Sequence, residues 1–123
     1  MYNYRDLQLW EVSMKLYLDI HKASRSFPSF EQYELAKHLR KTALSIPSNI
    51  SEGAGRKSTK EFIRHLDIAH GSLSEFETQL EAAHLLGYLQ DHSEYIKTIS
   101  HIRSMLVGLM RSLRNKLKES DKA

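Results

Sequence analysis

The sequence predicts an all-α fold, an up-down-up-down antiparallel four-helix bundle. Three observations predict it. Apolar residues recur at spacings of three and four along four separate segments, cap-forming residues stand before three of them, and Gly or Pro falls in the gaps. Four amphipathic helices with short connections bury their stripes by packing side by side. At 123 residues the chain is expected to form one domain, 1–123, and to bury about two-thirds of the surface its unfolded form exposes.

The first helix is expected over about 6–26. Trp10, Met14, Tyr17, Ile20 and Ser24 make its stripe, widened by Leu9, Leu16 and Ala23, and Phe27-Pro28 ends it. Glu11, Lys15, Asp19 and Lys22 alternate in sign on the solvated side. The second, about 30–52, opens on a capping box of Ser29 and Gln32. Its stripe of Leu35, Leu39, Ala43, Ile46 and Ile50 runs straight through Pro47, so the helix should kink there and resume until Gly53 and Gly55 stop it. The third, about 59–86, has a capping box of Ser58 and Glu61. Phe62, Leu66, Ala69, Leu73, Phe76, Leu80 and Ala83 follow in left-handed heptad register. Gly87 closes that helix as a left-handed residue, with Tyr88 over the last turn. Gly71, inside it, points to close approach of another backbone. The fourth, about 92–118, follows Asp91 and Glu94 with the stripe Ile99, Ile102, Leu106, Leu109 and Leu113, and its end should fray. Ile96, Met105, Val107 and Met110 on this helix, and Ile68, Ala82 and Leu86 on the third, are apolar beyond a single stripe. Such width favours oligomerisation.

Composition removes several function classes. There is no cysteine, hence no disulfide framework or thiolate metal site, which fits a reducing cytoplasm. The first ten residues lack the apolar core of a signal peptide, and no apolar run approaches the ~20 residues of a membrane span. The net charge of +3 is unevenly placed. From His65 to Glu94 there are six carboxylates and no Lys or Arg; from Tyr95 to Lys118 there are six cations and no carboxylate. A second basic cluster, Lys37, Arg40 and Lys41 with Arg56, Lys57 and Lys60, surrounds the proline break.

Reaction chemistry finds little support. Glu81 and His84 have the Glu-x-x-His spacing of di-metal bundles, but such a site needs a second copy of the motif and two further glutamates, so a solvated or interface role is the expectation. His65 and His70, five apart, fall on different helix faces. Ser45, Ser48 and Ser51 have no histidine near them in sequence to act as a base. The stretch "GAGRKS" lacks the spacing and ending of a phosphate loop. No catalytic residue, metal or cofactor is therefore expected. Around Pro47, Ser45, Asn49, Glu52 and Arg56 fall on one face. They read first as a structural polar joint that mends the ladder at the Ala43 carbonyl and ties the second helix to the third, and second as a patch that grips an anionic partner.

Read together, "LQLW", "FPSFEQYEL", "SIPSNISEG" followed by "GRKSTKEF", "IAHGSLSEFETQL" and "LLGYL" resemble the bacterial four-helix-bundle 23S rRNA-intervening sequence proteins, over about Leu7 to Leu89. That family is similar in fold to the accessory proteins of diversity-generating retroelements, homopentamers whose basic surfaces contact nucleic acid and a reverse transcriptase. The resemblance implies the same bundle and a homopentamer. It carries less about activity, since the family is named for where some of its genes lie, inside ribosomal RNA genes. Should RNA be the partner, the candidate residues are Arg103, Arg111, Arg114, Lys116 and Lys118, then Lys37, Arg40, Lys41, Arg56, Lys57 and Lys60. With no stacked-aromatic signature in the sequence, contact is expected to follow backbone and shape. The alternative is an oligomeric scaffold for protein partners, in which carboxylates of the third helix pair with cations of the fourth.

Overall fold

The computed structural model describes residues 2–122. Four α-helices, α1 (Gln8–Ala23), α2 (Leu35–Ala54), α3 (Thr59–Leu85) and α4 (Ser93–Lys122), pack each against the next, and α4 also packs on α1. Short 3-10 turns at Tyr4–Asp6, Ser24–Ser26 and Ser29–Glu31 flank α1 and lead into α2.

In α1 the buried line is Leu9, Ser13, Leu16, Ile20 and Ser24, whereas Trp10, Met14 and Tyr17 are half-buried at its flank. The first three positions of the expected stripe are thus each displaced by one residue, while Ile20 and Ser24 are buried as expected. Ser13 and Ser24 enter the core because each hydroxyl donates locally, to the carbonyls of Trp10 and His21, both at 3.1 Å.

The capping box expected at Ser29 does not form, and α2 starts later, at Leu35. The Gln32 amide instead donates to the carbonyls of Ser24 and Phe27, each at 3.0 Å, which satisfies the end of α1. Further along, α2 continues through Pro47 to Ala54. Gly53 does not stop it: this glycine is helical and buried where α3 crosses, and a Cβ there would lie 2.7 Å from His65 Cβ and 2.9 Å from Phe62 Cδ1.

Ser58 caps α3, its hydroxyl accepting the Glu61 N–H at 3.3 Å. The heptad stripe is buried at every expected position, and His65 widens it. The helix ends at Gly87, φ +86°, with Tyr88 N–H on the Ala83 carbonyl and Gly87 N–H on the His84 carbonyl, the two bonds of a Schellman end. Tyr88 reaches across to the α1–α2 connection, its ring 5.2 Å from Phe27 and its hydroxyl donating to Glu31 at 2.8 Å.

Gly71 corrects another expectation. It is exposed, and a Cβ there would meet nothing within 4 Å. Gly71→Ala should therefore stabilise the protein by ~1 kcal/mol, the ordinary helix-propensity difference, measured as a higher urea midpoint with an unchanged slope.

In α4, Ile99, Ile102, Leu106, Met110 and Leu113 are the buried line, and Leu109 is only half-buried. Met110 displaces Leu109 because adjacent apolar positions leave the helix free to rotate a little toward either. Much of the surplus apolar width is thereby absorbed, since Ile96, Met105 and Ala82 are also half-buried; Val107, Ile68 and Leu86 stay exposed. The helix runs to Lys122, past the expected end near 118, and Ala123 lies outside the described residues.

Candidate nucleic-acid interface

The amino-terminal segment, the end of α2, the start of α3 and the last third of α4 come together at one end of the bundle. Phe62 is the hub: it stands against Gly53, and its ring lies 5.2 Å from that of Tyr2. Tyr2 in turn accepts the Lys116 ammonium at 2.6 Å, and that ammonium sits 5.2 Å above the Tyr2 ring. Two basic clusters more than fifty residues apart in sequence thus share one end. Arg56 and Lys57 come from the α2–α3 connection, Lys60 from the first turn of α3, and Arg111, Arg114, Lys116 and Lys118 from α4. All seven are exposed. The six residues after Lys116 carry α4 about 9 Å farther along its axis, at 1.5 Å per residue.

The other expected cations lie elsewhere and are differently occupied. Arg40 is half-buried, donating to Ser24 Oγ at 2.7 Å and to Gln32 Oε1 at 2.8 Å, so it clamps the α1–α2 connection. Lys37 and Lys41 are exposed on the same early turns of α2. Arg103 pairs with Glu77 of α3 at 2.6 Å, with both side chains about one-third exposed (33% and 39%). This is one α3 carboxylate and α4 cation joined within a protomer. Sequence reasoning passed over Arg5 and Arg64, both exposed near the basic end; Arg5 stands 5.5 Å over the Tyr4 ring and Arg64 pairs with Glu61 at 3.1 Å.

The polar joint around Pro47 is assembled by a residue the sequence reading left aside. His65 of α3 is buried, with Nδ1 3.2 Å from Asn49 Oδ1 and Nε2 3.4 Å from the Arg64 guanidinium. The Asn49 amide oxygen can only accept, so Nδ1 carries the proton that joins the two side chains. The Asn49 amide donates to the Ser45 carbonyl at 2.8 Å, and the Ser45 hydroxyl to the Thr42 carbonyl at 2.6 Å. Neither side chain reaches the Ala43 carbonyl that Pro47 leaves without its usual donor. The joint between α2 and α3 is thus made by Asn49 and His65. His65 follows Phe62 by three residues, a helical spacing that was the one available signal for its burial.

Glu52 lies at the rim. Its Oε1 accepts from Arg56 at 2.9 Å and stands 3.9 Å from His65 Nε2. The Arg56 hydrogen bond first, and the His65 charge second, hold this carboxyl below its ordinary 4.5. A lowered carboxyl pKa stabilises the fold above the unfolded value and loses that contribution as pH falls through the folded value. Melting temperature should therefore fall more steeply below pH about 4.5 in the wild type than in Glu52→Gln, and parallel curves would remove the effect.

At the opposite end, Glu81 and His84 do not form a metal pair. Glu81 bonds His92 of the α3–α4 connection at 2.8 Å, while His84 donates to the Leu89 carbonyl at 2.8 Å and stacks on the His92 ring at 3.9 Å. Among the described residues no group of three or more His, Asp or Glu could hold a metal ion, and no helix is long and apolar enough to cross a membrane.

An all-helical protein with basic side chains gathered at one end is the class that fold and site define. The chain belongs to the 23S rRNA-intervening sequence protein family, whose profile matches residues 5–108. A comparison with curated protein sequences gives no significant match. The family match ends before Arg111, so Arg111, Arg114, Lys116 and Lys118 of α4 lie beyond it.

Proposed function

We propose that the protein is a non-enzymatic homo-oligomer, a pentamer by its family resemblance, that binds structured RNA or a ribonucleoprotein in the cytoplasm. The observation that carries this reading is the convergence of two basic clusters on one bundle end around Phe62, Tyr2 and Lys116. Cations gathered over a small area neutralise several phosphates of one backbone together, and each neutralised phosphate releases counterions. Repetition of the end in an oligomer multiplies the footprint.

The reading is tested by titrating a duplex RNA with nuclease-treated protein at about 50 and about 200 mM salt, the range over which six to ten phosphate contacts cost 10³–10⁵ in affinity. Binding that weakens steeply with salt is expected. No binding at the lower concentration refutes it.

A scaffold for protein partners is favoured by a different observation. The most exposed large apolar side chains, Tyr33 (82%), Leu85 (77%), Phe30 (70%) and Leu86 (57%), sit at the opposite end, where Tyr88 joins the two connections that carry them. That reading predicts lost assembly when Phe30 and Leu85 become polar.

A further inference from the structure

Beside the basic end, an open cleft of about 370 Å3 lies between α2 on one side and the first turns of α1 with the segment before it on the other. Tyr4, Trp10 and Met14 line one side and Ser48, Ser51 and Glu52 the other. The Tyr4 and Trp10 rings meet edge-on, centroids 5.0 Å and planes 64° apart, so they form an aromatic corner rather than a closed stack. A flat guest can lie on one ring while its edge abuts the other.

The opposite wall is polar and only partly occupied. Arg56 takes Oε1 of Glu52, and no described residue hydrogen-bonds Oε2. The Ser51 hydroxyl donates to the Ser48 carbonyl at 3.0 Å, whereas the Ser48 hydroxyl bonds no described residue. Ser48 and Glu52 are one helical turn apart and therefore neighbours on one face of α2. The wall offers a hydroxyl donor next to an anionic acceptor. Arg5 over Tyr4, with Arg56 and Lys57 just past Glu52, makes the rim positive. An open aromatic corner with a hydrogen-bonding wall and a cationic rim matches a nucleotide, base against the rings and phosphate toward the rim.

We infer that this cleft takes an unpaired guanine of the bound RNA, stacked against Trp10, with Glu52 accepting from N1–H and N2–H and the Ser48 hydroxyl donating to O6. Guanine is the base whose pairing edge places two donors beside one acceptor. Adenine and cytosine present one donor group each, and uracil a single N–H between two acceptors. The inference rests on the RNA-binding reading and adds base selectivity to it, where the sequence led to an expectation of backbone contact alone.

Trp10 is the only tryptophan, so its fluorescence reports on the cleft directly. The full-length protein is titrated with three single-stranded pentanucleotides, UUGUU, UUAUU and UUUUU, and with a blunt duplex, binding of the duplex being read by its own label. The expected result is saturable quenching by UUGUU with at least about tenfold tighter binding than UUUUU, a factor worth 1.4 kcal/mol. Glu52→Gln, at an exposed position, should cut that preference to less than about threefold with circular dichroism unchanged. Equal affinities for the three strands, or no quenching while the duplex binds, overturn the guanine site and leave the RNA reading standing. Loss of both strand and duplex binding defeats the two together.

Discussion

Replacing Gly53 by alanine is expected to destabilise the protein by about 2–3 kcal/mol. The added carbon would lie 2.7 Å from His65 Cβ, 2.9 Å from Phe62 Cδ1 and 3.3 Å from the Phe62 carbonyl. A β-carbon and a backbone oxygen cannot rotate aside, so α2 and α3 must separate where they cross. Alanine's better helix propensity returns only ~1 kcal/mol of that cost. Gly53→Ala should lower the melting temperature by about 10 °C for a chain of this size, whereas Gly71→Ala should raise it. Opposite signs for one substitution in two helices distinguish contact from propensity. A Gly53→Ala protein as stable as the wild type would mean that the helices do not approach there, and the Asn49–His65 joint would lose its basis.

Neutralising the basic end should abolish most RNA affinity. Lys57, Lys60, Arg114 and Lys118 are exposed and make no ion pair with any described residue. Their joint replacement by glutamine is expected to cost up to about a thousandfold in duplex binding near 0.1 M salt, and to flatten the slope of log K against log salt by about 3–4. Folding should hardly change, because surface substitutions of this kind fall within about 0.5 kcal/mol each. The matched control replaces Lys37 and Lys41, exposed cations on the early turns of α2, and should cost less than about tenfold. Equal losses in the two variants would assign binding to net charge rather than to a place.

Much of the fold was legible in the sequence, for reasons that differ by element. The α3 stripe from Phe62 to Ala83 was read without error because its heptad repeat leaves one possible face. In α1 the face was displaced because Ser13 counts as polar in a periodicity but is satisfied by its own helix once folded. The Ser29 and Gln32 pair has the form of a cap, yet the Gln32 amide is drawn to carbonyls at the end of α1, and no local rule contains those. Gly53 and Gly71 were assigned opposite roles from those they have, since both readings depend on which neighbour lies across the groove. The basic clusters were visible as runs of Lys and Arg. Their meeting was not, because it passes through Tyr2, Phe62 and Lys116, residues that approach only in the folded chain. The aromatic cleft escaped for the same reason: Tyr4 and Trp10 face Ser48 and Glu52 from about forty residues away.

Lysine protection tests the central claim most directly. The protein, alone and saturated with duplex RNA, is treated briefly with an amine-acetylating reagent, and modification at each lysine is quantified by mass spectrometry. Binding at the basic end predicts protection of Lys57, Lys60 and Lys118 with Lys22, Lys37 and Lys41 modified as in the free protein. Protection centred on Lys37 and Lys41, or uniform modification under saturating RNA, would contradict it.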